Sequence, residues 1–244
     1  MKVIVAKDYA EQSRLAADLV EKIVRDDPEC CLGLATGSSP VGMYQELARR
    51  CREEGLDFSR VQSVNLDEYI GLAPEHDQSY RYFMDSNLFD HINIDKKNTY
   101  VAKGIGDVEA NLAEFRAVLA GKDVAVQVLG VGPDGHIGFN EPGEQLYCSA
   151  HQELLDESTI DANARFFATR DEVPRSAVTM GVGDIMRAKR LLTIISGSNK
   201  AEAARLLLMS DVVTGQCPVT LVKLHPDSTV VITRELADMI GYKA

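Results

Sequence analysis

The feature that most constrains this chain is an alternation of short apolar runs with longer segments of helical pattern, from one end to the other. Apolar runs of this kind are typical of buried strands in parallel sheets, and the segments between them carry helix-starting residues. The alternation predicts one α/β domain over residues 1–244, an open, mostly parallel sheet with helices on both faces. The predicted strands are 1–6, 30–35, 61–65, 124–129, 191–196 and 229–233, and the predicted helices are about 8–24, 40–54, 79–88, 112–119 and 200–209.

Charge and cysteine content narrow the class of protein. Lys and Arg total 26 against 37 Asp and Glu, and the net charge of −11 at pH 7 argues against nucleic-acid or membrane partners. The five cysteines show neither a Cys-x-x-Cys nor a Cys/His spacing, which disfavours disulfides and a zinc site. No apolar run approaches the roughly 18 residues of a membrane span, and the start has no signal-peptide pattern. We therefore expect a cytoplasmic protein with reduced thiols.

Small polar residues follow the second predicted strand, at the kind of edge where open parallel sheets bind ligands. They are Thr36, Gly37, Ser38 and Ser39, and Pro40 then suits the first turn of a helix. Hydroxyls and the backbone N–H groups of a helix N-terminus can hold a phosphate. An ordinary turn in which Ser39 caps the helix is an equal alternative, and the absence of a following Gly-Lys-Ser/Thr excludes a Walker loop.

An acidic pair, Asp67 and Glu68, stands where the third predicted strand should end. Successive residues of a strand point to opposite faces, so we expect only one of the two carboxylates to face a cleft. Judged from the residues alone, solvation or helix capping is the commoner role for such a pair, and a catalytic base is the alternative.

The segment 130–142 is the most specific pattern in the chain, with four glycines and two prolines in thirteen residues. This composition disfavours helix and strand and predicts a tightly folded loop after a buried strand. Such a loop would hold Asp134, His136 and Glu141 close together. A histidine between two carboxylates can be oriented and kept protonatable near neutral pH.

Two basic residues complete the candidate set. Arg165 lies in Asn-Ala-Arg-Phe-Phe at 163–167, and Lys200 follows Gly-Ser-Asn at the start of a predicted helix. Either one alone fits an ordinary surface charge. An acidic protein that binds a phosphorylated compound nevertheless needs local cations of this kind.

Four motifs, in order and in spacing, resemble those of the glucosamine-6-phosphate deaminase family, and the likeness covers nearly the whole chain. They are Ala-Thr-Gly-Ser-Ser-Pro at 35–40, Asn-Leu-Asp-Glu-Tyr-Ile-Gly-Leu at 65–72, Gly-His-Ile-Gly-Phe-Asn-Glu-Pro at 135–142 and Asn-Ala-Arg-Phe-Phe at 163–167. The resemblance implies a modified Rossmann-like fold of the sugar-phosphate isomerase/deaminase type. It also implies conversion of glucosamine 6-phosphate and water to fructose 6-phosphate and ammonia, in amino-sugar catabolism.

The resemblance also implies a role for each matched residue. Asp67 would move a proton from C2 to C1 of the opened sugar, and His136, held by Asp134 and Glu141, would open the ring. Residues 36–39 would hold the phosphate with Arg165 and Lys200 as counter-charges, and Glu68 would be supporting. Positioned acid/base groups contribute about 10²–10⁴-fold each, so we expect no metal and no cofactor.

One departure separates this chain from the larger, regulated members of the family it resembles. Those members carry a basic pair that binds an N-acetylated sugar phosphate at a subunit interface, where this chain has His151 and Glu153. We therefore expect the short, unregulated type, with no allosteric activator, as a monomer or small homo-oligomer.

Two other functions remain as alternatives. A 6-phosphogluconolactonase-like hydrolase shares the fold and a Gly-His loop, but it resembles this chain neither at 67–69 nor in the segment after His136. A sugar-phosphate-binding regulator without catalysis would be expected to lack Asp67 or His136, and both are present.

Overall fold

The computed structural model describes residues 1–243, which contain ten strands and eight α-helices. The strands are β1 Lys2–Ala6, β2 Cys31–Leu34, β3 Gln62–Asn65, β4 Asp67–Tyr69, β5 Thr99–Tyr100, β6 Val124–Leu129, β7 His151–Leu154, β8 Ser176–Thr179, β9 Leu191–Ile195 and β10 Ser228–Thr233. The helices are α1 Tyr9–Asp26, α2 Val41–Glu54, α3 Tyr80–Asn87, α4 Val108–Ala120, α5 Glu157–Asn163, α6 Val182–Met186, α7 Ala201–Met209 and α8 Arg234–Ile240.

Seven strands form the main sheet, in the order β1-β10-β9-β6-β2-β3-β5. Every neighbouring pair in it is parallel. The connections through α1 and α2 run in one direction along this order, and those through α4 and α7 run in the other. Because parallel crossovers are right-handed, the two sets of helices cover opposite faces. The predicted parallel sheet with helices on both faces is confirmed.

The direction of the connections reverses between β2 and β6, which are neighbours in the sheet. A crevice opens beyond the carboxyl ends of two such strands, because their outgoing chains leave toward opposite faces. The loops that follow β2 and β6 are the glycine-containing turn at 36–39 and the segment 130–142. The topology thus brings together two patterns that lie about a hundred residues apart in sequence.

The sequence did not predict a second sheet, which is antiparallel, with the order β4-β8-β7. The third predicted strand ends at Asn65, and Leu66 turns the chain by donating its N–H to the Leu34 carbonyl and accepting from the Met180 N–H. Asp67 therefore opens β4 and does not close the third strand of the main sheet. The strands of this sheet have three or four residues, which is too short for a periodicity signal.

The start of α1 agrees with the predicted capping residue. Asp8 accepts a hydrogen bond from the Glu11 N–H at 2.9 Å at the start of α1, and Glu11 accepts from the Lys7 N–H at 2.6 Å. The pairing of α1 with α2 is held by Arg50, 5% exposed, whose guanidinium contacts Glu21, Glu46 and Asp18 within 2.9 Å. This ion-pair cluster joins α1 to the C-terminal half of α2.

Apolar side chains bury the main sheet under its helices, and a smaller cluster packs beneath the second sheet. The smaller cluster includes Tyr69, Phe139 and Ile160, and it joins β4 to the glycine-rich loop and to α5. No helix among residues 1–243 has the length and the apolarity to cross a membrane.

Candidate active site

A cavity of about 390 Å³ lies at the carboxyl ends of β2, β6 and β9 and against the start of β4. Eight of the ten residues predicted for the site line it: Thr36, Gly37, Ser38, Ser39, Asp67, His136, Arg165 and Lys200. The other two, Asp134 and Glu141, stand behind His136 and contact its ring. The structure therefore brings all ten predicted residues to one place.

One end of the cavity is the turn at 36–39. Gly37 has φ 88°, a left-handed conformation that any other residue would adopt only under strain. The backbone N–H groups of Gly37, Ser38 and Ser39 donate to no acceptor among residues 1–243. The alternative that Ser39 caps α2 is wrong, because the N-cap residue is Pro40 and no side chain of the turn makes a cap bond. The turn instead offers free donors to an anion.

The two basic residues lie at the same cavity. Lys200 ends a short 3-10 helix before α7. Burial lowers the pKa of Lys200 to about 8; the charge of Arg165 acts in the same direction and that of Asp134 acts against it. Arg165 is exposed in the 3-10 turn Ala164–Phe166, and its guanidinium carbon lies 4.7 Å from the centroid of the Phe166 ring. The cavity therefore combines free backbone donors with two cations, in a chain whose overall charge is negative.

Asp67 presents its carboxylate to the cavity and is 5% exposed. Burial and the neighbouring Glu68 raise its pKa to about 8, although the charge of His136 acts in the opposite direction. No donor among residues 1–243 bonds to its carboxylate. A carboxylate with a raised pKa and free oxygens in a cavity has the properties of a general base.

Glu68 points the other way, as expected for the adjacent strand residue. Its carboxylate accepts hydrogen bonds from the N–H groups of Tyr69 and Tyr80 at 2.9 Å and of Arg81 at 3.0 Å. Burial outweighs these donors and raises its pKa to about 7. Glu68 is thus the helix-capping member of the acidic pair, which fixes α3 to β4, while Asp67 faces the cavity.

His136 is held by two carboxylates. Its Nδ1 lies 2.8 Å from Oδ1 of Asp134 and 3.5 Å from Oε2 of Glu141, whose side chain is 5% exposed. Burial opposes the imidazolium, but these two contacts prevail and raise the pKa of His136 to about 9. The same contact outweighs burial and lowers the pKa of Asp134 to about 2. Because Nδ1 faces the two carboxylates, the Nε2 side of the ring is the side available to a ligand in the cavity.

The glycine-rich loop folds tightly around this histidine. The Gly132 N–H donates to the His136 carbonyl at 2.9 Å, and the Gly135 N–H donates to the Gly132 carbonyl at 3.1 Å. A side chain on Gly132 would collide with the His136 ring. Glycine is therefore required at position 132 because the ring lies directly against the backbone.

Asp134, His136 and Glu141 also have the residue types of a metal site, with one ligand atom from each within 4.8 Å of the others. The Nδ1–Oδ1 separation of 2.8 Å, however, is too short for two ligands of one ion, and only the 3.5 Å from Nδ1 to Oε2 of Glu141 matches the spacing of such ligands. Two ligands of a tetrahedral ion, each about 2.1 Å from it, lie roughly 3.4 Å apart. The geometry fits a histidine with its two orienting carboxylates better than it fits a metal centre.

The polar residues of the cavity wall that were not predicted for the site include Tyr80 and Thr159. Tyr80 lines the cavity at the start of α3, with its ring stacked on Phe139 at 5.8 Å. Thr159 of α5 is 3% exposed, and its hydroxyl has no partner among residues 1–243. Neither lies in a distinctive motif. The link from Asp67 through Glu68 to the N–H of Tyr80 becomes visible only in three dimensions.

A parallel α/β sheet whose switch point holds a buried aspartate, a histidine between two carboxylates and free backbone N–H groups in one cavity has the groups that acid/base chemistry on an anionic small molecule requires. Residues 6–232 match the model of the family described as glucosamine-6-phosphate isomerases/6-phosphogluconolactonase. The chain belongs to this family.

Curated relatives and solved structures resemble the chain over almost its whole length. A glucosamine-6-phosphate deaminase of Clostridium perfringens is 49% identical over 98% of this chain and 100% of the relative. Another, of Thermoanaerobacter pseudethanolicus, is 46% identical over 98% and 95%. A solved monomeric glucosamine-6-phosphate deaminase is 39% identical with a TM-score of 0.94, covering 98% and 100%. A 6-phosphogluconolactonase of Thermotoga maritima, 19% identical with a TM-score of 0.73 over 95% and 98%, shares the fold.

Proposed function

We propose that this chain is a glucosamine-6-phosphate deaminase, which converts glucosamine 6-phosphate and water to fructose 6-phosphate and ammonia. The observation that carries the proposal is that Asp67 and His136 face one cavity whose wall also holds the free N–H groups of residues 36–39 and the cations Lys200 and Arg165. An aldose-ketose rearrangement with loss of an amine needs a ring opener, a base at C2 and a phosphate anchor. The two relatives that align with 98% of the chain are both named glucosamine-6-phosphate deaminase.

Ring opening is the step assigned to His136. The imidazolium Nε2–H gives its proton to the ring oxygen as the bond between C1 and that oxygen breaks, and Nε2 then takes the proton of the C1 hydroxyl, which leaves an aldehyde. Asp134 and Glu141 contact Nδ1, so they hold the ring in one orientation and stabilise the imidazolium with which this step begins and ends.

Proton transfer from C2 to C1 is the step assigned to Asp67. Its ionised carboxylate removes the C2 proton, the electron pair forms the C1–C2 double bond, and the aldehyde oxygen takes up a proton from the His136 imidazolium, which regains one when water is later deprotonated at C2. The same carboxyl then returns its proton to C1, which leaves an imine at C2. Water adds to C2 and ammonia leaves, which makes the reaction a hydrolytic deamination.

Phosphate binding holds the reacting carbons in place. The N–H groups and hydroxyls of residues 36–39, with Lys200 and Arg165, would contact the phosphate of C6, which is remote from C1 and C2. Binding energy from such a remote group keeps the open-chain sugar near Asp67 and His136.

Ammonia release from glucosamine 6-phosphate is the test, with galactosamine 6-phosphate and 6-phosphogluconolactone as parallel substrates. We expect release from glucosamine 6-phosphate and no lactone hydrolysis above background. Lactone hydrolysis without ammonia release would favour the lactonase alternative, for which the 19% identical neighbour supplies only the fold. Phosphate binding with no turnover of any of the three would favour a regulator.

We also propose that the protein works in the cytoplasm as a monomer or small homo-oligomer without an activator site. The cysteines in residues 1–243 are all free, which suits a reducing compartment. Nε2 of His151 lies 2.8 Å from Oε2 of Glu153. The two positions that are basic in regulated members are therefore paired with each other here, and one of them is a carboxylate. The solved relative that resembles this chain at 39% identity is described as monomeric.

A further inference from the structure

Tyr9, the first residue of α1, touches the phosphate turn from outside the cavity. Its hydroxyl donates to the Ser38 carbonyl at 2.9 Å, with the Ser39 carbonyl at 3.4 Å, and accepts from the Gly42 N–H at 2.9 Å. One side chain therefore links both sides of the junction between the turn and α2. The residue lies outside the motifs and does not line the cavity.

The bond to Gly42 fills a gap at the start of α2. The first N–H groups of a helix have no partner inside the helix, and the N-cap residue here is Pro40, which makes no side-chain cap bond. The Tyr9 hydroxyl supplies the missing acceptor from a neighbouring helix. It does so in place of the side-chain oxygen that usually comes from the N-cap residue.

The bond to Ser38 orients a peptide group that faces the cavity. No peptide bond among residues 1–243 is cis, and in a trans peptide the C=O and the following N–H point in opposite directions. Because the Ser38 carbonyl is turned toward Tyr9, the Ser39 N–H is turned away from it. That N–H has no acceptor within the described residues, and Ser39 lines the cavity.

Close packing of α1 on α2 allows this contact. A side chain at Gly42 would collide with the Ser13 hydroxyl and would come within 3.1 Å of Cε1 of Tyr9. The Ser13 hydroxyl donates to the Tyr9 carbonyl at 2.8 Å. The absence of a side chain at position 42 thus lets the tyrosine ring lie against the N-terminal turn of α2.

We propose that Tyr9 is a positioning residue for substrate phosphate: its hydroxyl holds the first turn of α2 and presets the Ser38–Ser39 peptide, so that the Ser39 N–H faces the anion. This rests on the proposed phosphate site at 36–39. The tyrosine acts on affinity through the turn and makes no contact with the reacting carbons.

The test compares Tyr9→Phe, which keeps the ring and removes the hydroxyl, with Tyr82→Phe. Tyr82 is a matched control because it is 43% exposed against 40% for Tyr9, and its hydroxyl bonds to nothing among residues 1–243. Loss of one ordinary hydrogen bond changes an equilibrium constant by about 2- to 12-fold. For Tyr9→Phe we expect KM for glucosamine 6-phosphate and the Kd of inorganic phosphate, measured by calorimetry, to rise together by about 3- to 10-fold. We expect kcat within twofold of the parent, and no change in Tyr82→Phe.

The outcomes separate positioning from a merely structural role and from failure of the proposed function. A fall in Tm with KM and the phosphate Kd unchanged would overturn the inference, as would a fall in kcat at constant KM. If the parent released no ammonia but bound phosphate, the calorimetric comparison alone would still decide the role of Tyr9. A parent that bound no phosphate would overturn both proposals.

Discussion

Replacement of Asp67 by asparagine gives the sharpest test of the proposed base, because the substitution keeps the shape and removes the proton acceptor. Burial and Glu68 raise the pKa of Asp67 to about 8. A base must be ionised to act, so with this pKa about one tenth of the free enzyme is competent at pH 7 and about one half at pH 8. The contribution of Asp67 to kcat/KM should therefore rise through pH 8, well above the ordinary range of an aspartate.

The size of the effect is best measured as the ratio of kcat/KM of the parent to kcat/KM of Asp67→Asn, because titration of the substrate cancels in a ratio taken at one pH. Loss of a positioned base costs about 10²–10⁴-fold against the fully ionised enzyme. The ratio should thus be about 10–10³ at pH 7 and rise roughly fivefold by pH 8. Ammonia release from pH 6.5 to 9 measures it, and calorimetry should show the Kd of inorganic phosphate within twofold of the parent.

A control and a clear contrary result accompany this test. Asp238→Asn changes the same charge at an exposed position of α8, with only a 3.9 Å contact to Arg234, and should leave the profile unchanged. A pH-independent ratio, or a variant that keeps the kcat of the parent, would show that Asp67 is not the base.

Three further predictions concern the anion cradle and the proposed lack of regulation. Lys200→Ala and Arg165→Ala should each remove a charge-assisted contact worth about 1.5–3 kcal/mol. KM should therefore rise by one or two orders of magnitude, with a smaller change in kcat. Unchanged inhibition by inorganic phosphate would contradict the assignment of these residues to the phosphate site. Because burial lowers the pKa of Lys200 to about 8 and the charged form binds the anion, phosphate affinity should fall as the pH rises through 8, and Lys200→Ala should lose this dependence. Initial-rate curves should be hyperbolic and insensitive to N-acetylglucosamine 6-phosphate. The reason is that an effector phosphate needs free cations, whereas Glu153 and His151 pair with each other. A sigmoidal curve that the effector makes hyperbolic would refute this prediction.

Local chemistry in the sequence was sufficient for six of the seven strands of the main sheet and for most of the candidate site, whereas the two-residue edge strand β5 was not predicted. Continuous apolar runs predict buried parallel strands because both faces of such a strand are covered. Asp8 marks the start of α1 because its side chain caps the helix by accepting a hydrogen bond from the Glu11 N–H. The glycines of 130–142 predicted a tight loop around His136 because a side chain at Gly132 would occupy the space of the ring.

Tertiary structure decided what depends on contacts between distant segments. The second sheet could not be predicted from the sequence, because strands of three or four residues depend for their pairing on partners far along the chain. The division of roles between Asp67 and Glu68 was settled by the position of α3, whose N–H groups bind one carboxylate and leave the other free. Tyr9 reaches the turn at 36–39 only because α1 packs on α2, and packing of that kind has no signature within either segment. The sequence by itself therefore determined which groups could do the chemistry, and only the fold decided which way they face, because orientation depends on neighbours that lie far away in the chain.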